Sequence, residues 1–363
     1  DFTYYFDKVT SIFIKSKKHK IENPKKILFL RNDHIGDMAY STQVFREVKK
    51  QFPDVKIGVV TTGSSKQLIE KDPYVDKIFE IDLFWRRKFK GFLDYWKILK
   101  EIKKEGFDVG VDLRKSKLNV FFFLWIPKIK SRIGFYNVNG GKAFLTHPVL
   151  YDKKMNNVYE NIELINRAFN TKITNYLPHI ITDEEDEKEV KKFMEKNGLK
   201  KYIHIAPGAT EEAKKWPEEK FDELIKVFHK KYPKYKIILS GANSDKDLLG
   251  RLCKGRKFCI PLINFNLRLM SIIFRNAGAI IANDGVGTAL SWVSDGKLIS
   301  LQGPVDLELY KPLKKTKILH HKVDCYPCFW AKPCPKPLGE RCMDLITVEE
   351  IMNAIGKFLK VKR

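Results

Sequence analysis

Two runs of short apolar segments, each spaced by amphipathic segments of helical period, constrain this chain more than any other feature. In the first run KKILFLR, KIGVVTT, YVDKIFEID and FDVGVDLR alternate with MAYSTQVFREVKKQF, SSKQLIEKD and FLDYWKILKEIKKEG. In the second, KYIHIAP, YKIILSG, KFCIPLI, AGAIIAND and KLISLQG continue the pattern. Apolar strands alternating with amphipathic helices predict parallel sheets covered on both faces, an α/β chain built of two doubly wound units. Two such units facing each other would leave a central cleft at the carboxyl ends of their strands, where open α/β sheets bind ligands. Between the runs, SRIGFYNVNGGKAFLTHPVLYDKK is loop-rich and NNVYENIELINRAFN is helical. The segment TKITNYLPHIITDEEDEKEVKKFMEKNG carries the linker and the first helix of the second half. The expected domains are residues 1–175 and 176–345, followed by a terminal helix over 346–363.

A hydrophobic share of 44% and an aromatic share of 12% over 363 residues suffice for two cores. The net charge of +24 favours anionic partners: nucleic acid, an anionic membrane face or a phosphorylated substrate. A surface generally rich in lysine gives the same balance. The longest apolar run, Val120 to Ile126, stops at Pro127 and is too short to span a bilayer. It predicts either a buried element or an interfacial patch. Residues 1–24 alternate aromatic and basic side chains, as a helix lying on an anionic membrane or one packed on the body would. With no signal peptide visible, a cytoplasmic protein that visits a membrane surface is expected.

Six stretches carry candidate chemistry. After the first strand, Arg31-Asn32-Asp33-His34-Ile35-Gly36-Asp37 puts a carboxylate at a sheet's carboxyl end. Asp37 either caps the helix it starts or accepts a hydroxyl proton as a general base. In the second half, His204 to Ala209 leads into Lys214-Lys215-Trp216-Pro217. Pro217 is expected at the first position of a helix, and a lysine beside free helix-start N–H groups suits a pyrophosphate. Asp245, shortly after the strand YKIILS, is placed to accept from ribose hydroxyls or to be a loop acid in water. The run Asn283-Asp284-Gly285-Val286-Gly287-Thr288 follows another strand, and its glycines allow backbone to approach a phosphate or sugar. It is neither the dinucleotide fingerprint nor a Walker A loop, so nicotinamide and ATPase readings lack support. A weaker Gly-Pro turn stands at Gly303-Pro304. Cys325, Cys328, Cys334 and Cys342 form either a structural zinc or iron knuckle or a set of packed reduced thiols. Arg86, Arg87, Lys88 and Lys90, interleaved with aromatics, are either a docking surface for an anionic amphiphile or nucleic acid, or a solvated face.

In order and spacing these stretches resemble glycosyltransferase family 9, the ADP-heptose:lipopolysaccharide heptosyltransferases. The carrying segments are ILFLRNDHIGDMAYSTQVFREVKKQFPD, HIAPGATEEAKKWPEEKFDELI, IILSGANSDKD, AGAIIANDGVGTAL, SLQGPVDLELYKP and the cysteine tail. The resemblance implies a GT-B fold of two Rossmann-like domains around a cleft, with the last helix crossing back onto the first domain. It implies an inverting transfer of heptose from ADP-heptose to the lipopolysaccharide inner core, on Kdo-lipid A or the first heptose, at the inner face of the cytoplasmic membrane. By similarity Asp37 is the base. Lys214, helped by Thr210, holds the pyrophosphate, and Asp245 takes the ribose. Phe265 lines the adenine pocket. Asp284 contacts the sugar, while Gly285, Gly287 and Thr288 surround the diphosphate. No cofactor is required for catalysis, and no nucleic-acid partner is implied. One departure stands out: the family's Asp-(Ser/Thr)-Gly-x-x-His motif has Ala289 where the histidine belongs. Another nucleotide sugar or a protein acceptor is the alternative within enzymes. A non-catalytic basic nucleotide- or nucleic-acid-binding protein is the alternative from another class, although no helix-turn-helix or RNA-recognition motif is evident.

Overall fold

The computed structural model describes residues 20–81, 91–137, 142–309, 315–328, 334 and 336–360. The chain divides into two compact units, Asp1–Pro178 and His179–Arg363.

The first unit runs β1 (Lys26–Arg31), α1 (Ile35–Ala39), α2 (Thr42–Gln51), β2 (Lys56–Thr61), α3 (Gly63–Lys66) and β3 (Lys77–Glu80). It continues through α4 (Gly91–Glu105), β4 (Val109–Asp112) and α5 (Lys117–Asn119), which passes into a π-helix at Val120–Trp125. β5 (Ser131–Tyr136), β6 (His147–Leu150) and α6 (Asn157–Phe169) complete it. The sheet order is β3-β2-β1-β4-β5-β6 and every pairing is parallel. The chain winds outward from β1 to β3, then returns to lay β4 against the other side of β1. The helices after β1 and β4 therefore cover opposite faces of the sheet, and their loops diverge above the β1/β4 boundary. Ile27, Leu28, Phe29 and Leu30 are all fully buried, as a strand sandwiched on both faces requires.

The second unit repeats the plan with α7 (Glu184–Lys196), β7 (Tyr202–Ala206), α8 (Glu218–Lys231), β8 (Lys236–Gly241), α9 (Lys246–Cys253) and β9 (Cys259–Ile263). Then come α10 (Leu267–Asn276), β10 (Ile280–Asn283), α11 (Val286–Val293), β11 (Leu298–Leu301), β12 (Thr316–Leu319) and α12 (Val348–Lys360). Its sheet, again wholly parallel, is ordered β12-β11-β10-β7-β8-β9, so its winding reverses between β7 and β10.

Several elements differ from the sequence expectation. The loop-rich stretch after residue 130 contains β5 and β6, and β12 was not foreseen. β6 and β9 are the outer strands of their sheets, which is where Pro148 and Pro261 are tolerated because no neighbour needs their missing N–H. The single helix expected from Met38 breaks at Tyr40. There the Ser41 hydroxyl donates to the Asp37 carbonyl (2.7 Å) and the Gln43 amide to the Tyr40 carbonyl (2.7 Å), side chains competing with the helical ladder. The terminal helix α12 packs on α8 and buries Ile351, Met352 and Ile355 in the second unit's core with Phe228 and Ile299. Its strong apolar stripe requires a partner, and that core supplies one. No helix among the described residues is long and apolar enough to cross a membrane.

Candidate active site

Arg31, the last residue of β1, organises the first unit's site. Its guanidinium is 3% exposed, and its Nε donates to the Asp37 carbonyl at 3.1 Å. One terminal nitrogen donates to the Leu113 carbonyl and lies 3.5 Å from an Asp33 oxygen; the other lies 3.4 Å from Asp37 Oδ1. A planar fork reaching two carboxylates and two carbonyls holds the β1 and β4 loops in one arrangement. Asp37 is not the helix cap: His34 occupies that position, without a side-chain bond, and Asp37 sits in the first turn. Its side chain is one-third exposed, so the carboxylate is anchored by Arg31 on one side and open to solvent on the other. Burial raises the pKa of Asp33 and pushes that of Asp112 up to about 6. Asp112 closes β4 by accepting from the backbone N–H groups of Arg114 (3.2 Å) and Ser116 (2.7 Å). Below the same loops, Asn119 donates to Asn32 (2.6 Å) and Lys115 pairs with the buried Glu160 (2.8 Å).

In the second unit the site forms where β7 and β10 diverge. After β7 the chain passes through Pro207 and Gly208 into a 3-10 turn, Glu212–Lys214. Lys214 Nζ lies 2.6 Å from Asp284 Oδ2, a carboxylate just beyond β10. Both side chains are largely buried, at 15% and 11% exposure, which strengthens their attraction relative to a surface pair. Asn283 splints the two loops: its Oδ1 accepts from the Trp216 backbone N–H (3.3 Å) and its Nδ2 donates to the Pro207 carbonyl (2.7 Å). Trp216 is buried against Phe221 and donates through Nε1 to the Ile346 carbonyl (3.0 Å). Pro217 stands at the helix cap, one position before the first helical residue expected of it.

Asp245 comes to the same place. Its Oδ2 accepts from the Ala242 backbone N–H at 2.8 Å, and a Cβ at Gly208 would stand 2.6 Å from that oxygen. Only glycine lets the β7 loop lie so close to Asp245. Lys214, Asp284 and Asp245 thus share one rim, with exposed Thr210 on the β7 loop. Phe265 is half-buried beside Phe193, their ring centroids 5.6 Å apart, on the loop that opens α10.

The run after Asp284 divides by role. A Cβ on Gly285 would meet nothing within 4 Å, so that residue borders open space. One on Gly287 would stand 2.7 Å from the Ala206 Cβ, so Gly287 seats α11 on the sheet. Thr288 is buried, its hydroxyl donating to the Asn283 carbonyl (3.1 Å) and lying 3.3 Å from Ser300 Oγ. Ala289 is also buried.

Cys325, Cys328, Cys334 and Cys342 line one small pocket with Ala213, Gly303 and Arg341. Burial, aided by the other three thiols, pushes the Cys342 thiol up to about 11. Among the described residues, however, no three His, Cys, Asp or Glu side chains are arranged to hold a metal ion. Arg86, Arg87, Lys88 and Lys90 lie outside the described residues.

Sequence reasoning missed Asn283 as the splint and Arg31 as the anchor of Asp37. Both stand within stretches it singled out, and a polar residue ending an otherwise apolar strand was the available signal.

Two doubly wound parallel units, the second with a cation–carboxylate pair at its winding reversal, make a GT-B architecture. A model of glycosyltransferase family 9 (heptosyltransferase) matches residues 95–337. The chain belongs to that family and is a glycosyltransferase. Among curated proteins it is 23% identical over 308 residues to lipooligosaccharide heptosyltransferase 2 of Haemophilus influenzae, covering 79% of this chain and 86% of that one. Among solved structures it resembles Escherichia coli ADP-heptose lipopolysaccharide heptosyltransferase II, with a TM-score of 0.74, 18% identity, and coverage of 92% and 98%. It also resembles a family 9 glycosyltransferase from Veillonella parvula, with a TM-score of 0.77, 19% identity, and coverage of 95% and 99%.

Proposed function

We propose that this glycosyltransferase moves heptose from ADP-heptose to an acceptor hydroxyl of the lipopolysaccharide inner core, with inversion at the anomeric carbon, at the inner face of the cytoplasmic membrane. The observation that carries the donor half is the Lys214–Asp284 pair at 2.6 Å beside Asp245. A pyrophosphate needs a nearby cation, a ribose needs an acceptor for its hydroxyls, and both are offered on one rim.

In the reaction the bond from the anomeric carbon to the ADP oxygen breaks and a bond from that carbon to the acceptor oxygen forms. The acceptor's proton passes to the Asp37 carboxylate, and the negative charge left on ADP is stabilised by Lys214. Asp284 holds the Lys214 ammonium at the rim before the donor arrives. Arg31 positions Asp37 without itself touching the reacting atoms, since it is buried behind it. The relatives named above act, by their names, on lipooligosaccharide or lipopolysaccharide, which supports the acceptor class.

Ala289 favours a second reading. It fills a buried position on α11 where the resemblance leads one to expect an imidazole, and the loss of that polar group is what favours a different sugar on the nucleotide. Calorimetric titration of the protein with ADP, UDP, GDP and CDP separates the readings. Preference for ADP, followed by transfer from ADP-heptose to Kdo–lipid A, supports the proposal. Preference for another nucleotide discards heptose from ADP-heptose, and binding of none discards the transfer altogether.

A further inference from the structure

From Leu113 to Tyr151 the chain contains seven cations (Arg114, Lys115, Lys117, Lys128, Lys130, Arg132, Lys142) and no carboxylate. The same stretch holds the Val120–Trp125 π-helix, whose inner residues Val120, Phe123 and Leu124 are buried in the first unit's core. Its outer side is apolar as well: Leu118 is 44% exposed and Trp125 37%, with Phe121 and Phe122 half-buried between them. In the wider turn of a π-helix, residues four apart share a side: Trp125 stacks on Phe121, while Phe122 packs on Tyr95 of α4.

Beside it lies α4. The Tyr95 ring stands 5.6 Å from Phe122 and 5.1 Å from Phe123, and both elements cover the same core. Tyr95, Leu99 and Ile102 form the buried stripe of α4. The adjoining stripe carries Trp96, 42% exposed, with Lys100 and Lys103 in the open. Of the acids of this helix, Asp94, Glu101 and Glu105, the last two are paired with Lys77. The outward side of the α4/π-helix layer therefore shows two tryptophans and a leucine among cations, with exposed Lys128 and Lys130 directly after the π-helix.

Exposed large apolar side chains gathered on one face mark an interaction surface, whereas scattered ones do not. Tryptophan settles at the membrane–water interface, and lysine can bury its stem while its ammonium reaches the headgroups. The absence of acids over 113–151 matches an anionic surface. Leucine beside the rings fits hydrocarbon and has no part in stacking on nucleic-acid bases. We infer that the outward side of α4 and the π-helix is a docking surface for an anionic lipid leaflet. It rests on the reading that the acceptor is membrane-bound, and it places the lipid contact on the first unit, the unit that carries Asp37.

The test is co-flotation of the full chain with vesicles of phosphatidylcholine, with and without phosphatidylglycerol, in the absence of donor and acceptor. Binding is expected only with phosphatidylglycerol, accompanied by a blue shift of tryptophan emission. The variant W96S/L118S/W125S should lower vesicle affinity about tenfold or more. Because Trp125 stacks on Phe121 and its loss could disturb folding, K100E/K128E/K130E serves as a second variant that leaves the packing intact. Reversing three charges near an anionic surface should also cost at least about tenfold. Nucleotide affinity should be unchanged in both variants, which checks the fold independently of the membrane. Failure of wild-type protein to bind the anionic vesicles, or equal binding by wild type and the charge-reversal variant, overturns the inference. So does a charge-reversal variant whose only change is lost self-association by sedimentation, which would make the surface a contact for a second copy. Failure to bind any nucleotide would sink the donor reading while leaving the flotation result to stand or fall alone.

Discussion

At the scale of single residues, roles follow from what each charged group is buried with. Asp37 is held by Arg31 yet open to solvent, and Lys214 is held by Asp284 in a partly dry rim. Replacing Asp37 with Asn should lower the transfer rate by about 10²- to 10⁴-fold with ADP affinity unchanged, since it removes a proton acceptor and leaves the donor rim alone. Replacing Lys214 with Ala should weaken ADP binding by about tenfold to a hundredfold, the worth of one charge-assisted contact. Steady-state transfer and calorimetry on the same preparations check both; equal loss of ADP binding in the two variants would undo the division of labour. His204 gives a pH prediction. It is fully buried, bonded through Nε2 to Ser240 Oγ at 2.7 Å, and burial pulls its pKa down to about 3. The unfolded chain therefore takes up the proton first as pH falls, so its contribution is complete above about pH 6.5 and declines toward pH 3. Asp112, pushed up to about 6, acts in the opposite direction: its protonation on acidification favours the fold. The difference between wild type and His204→Gln isolates the histidine. Urea unfolding should show wild type losing about 2 kcal/mol more than the variant between pH 7 and pH 5.

At the scale of elements, the glycines after Asp284 illustrate how one stretch serves two purposes. Gly287 allows α11 to rest on β7 and β10, because a Cβ there would stand 2.7 Å from the Ala206 Cβ and 3.1 Å from that of Ala282. Gly287→Ala should therefore destabilise the protein by about 1–3 kcal/mol through overpacking. Gly285 has extended backbone at φ 173° and open space around its Cα, so Gly285→Ser should change stability by less than about 0.5 kcal/mol. Thermal unfolding of the two variants decides; equal melting temperatures would mean that α11 does not depend on the close approach. Element positions were legible in the sequence where apolar runs were long and doubly buried, as in KILFLR, KIILSG and ANDGVG's preceding strand. They were illegible at β5, β6 and β12, of which β6 and β12 are outer strands covered on fewer sides and so need less apolar sequence. The break between α1 and α2 was hidden too, because Ser41 and Gln43 act through bonds to specific carbonyls rather than through periodicity.

At the scale of the whole molecule, two units of like topology carry different residues above their winding reversals: Arg31 and Asp37 in one, Lys214, Asp284 and Asp245 in the other. Binding of ADP to the full chain should slow amide hydrogen exchange in 207–216, 241–245 and 284–288 and leave 31–37 unaffected. Protection of 31–37 with none in the second unit would reverse the assignment of donor and acceptor units. The sequence by itself determined the α/β class and the two-part organisation, and it put Asp37, Lys214, Asp245 and Asp284 just past strand ends, because strand-end motifs of a doubly wound sheet are local features that need no knowledge of distant contacts. Only the tertiary structure decided that Lys214 meets Asp284 across 70 residues, that Gly287 seats α11 on the sheet while the Thr288 hydroxyl bonds the Asn283 carbonyl, and that the aromatic run after Lys117 is buried on one side and exposed on the other. Those outcomes depend on which strands lie side by side, and strand order is set by how the whole set of apolar faces is buried at once.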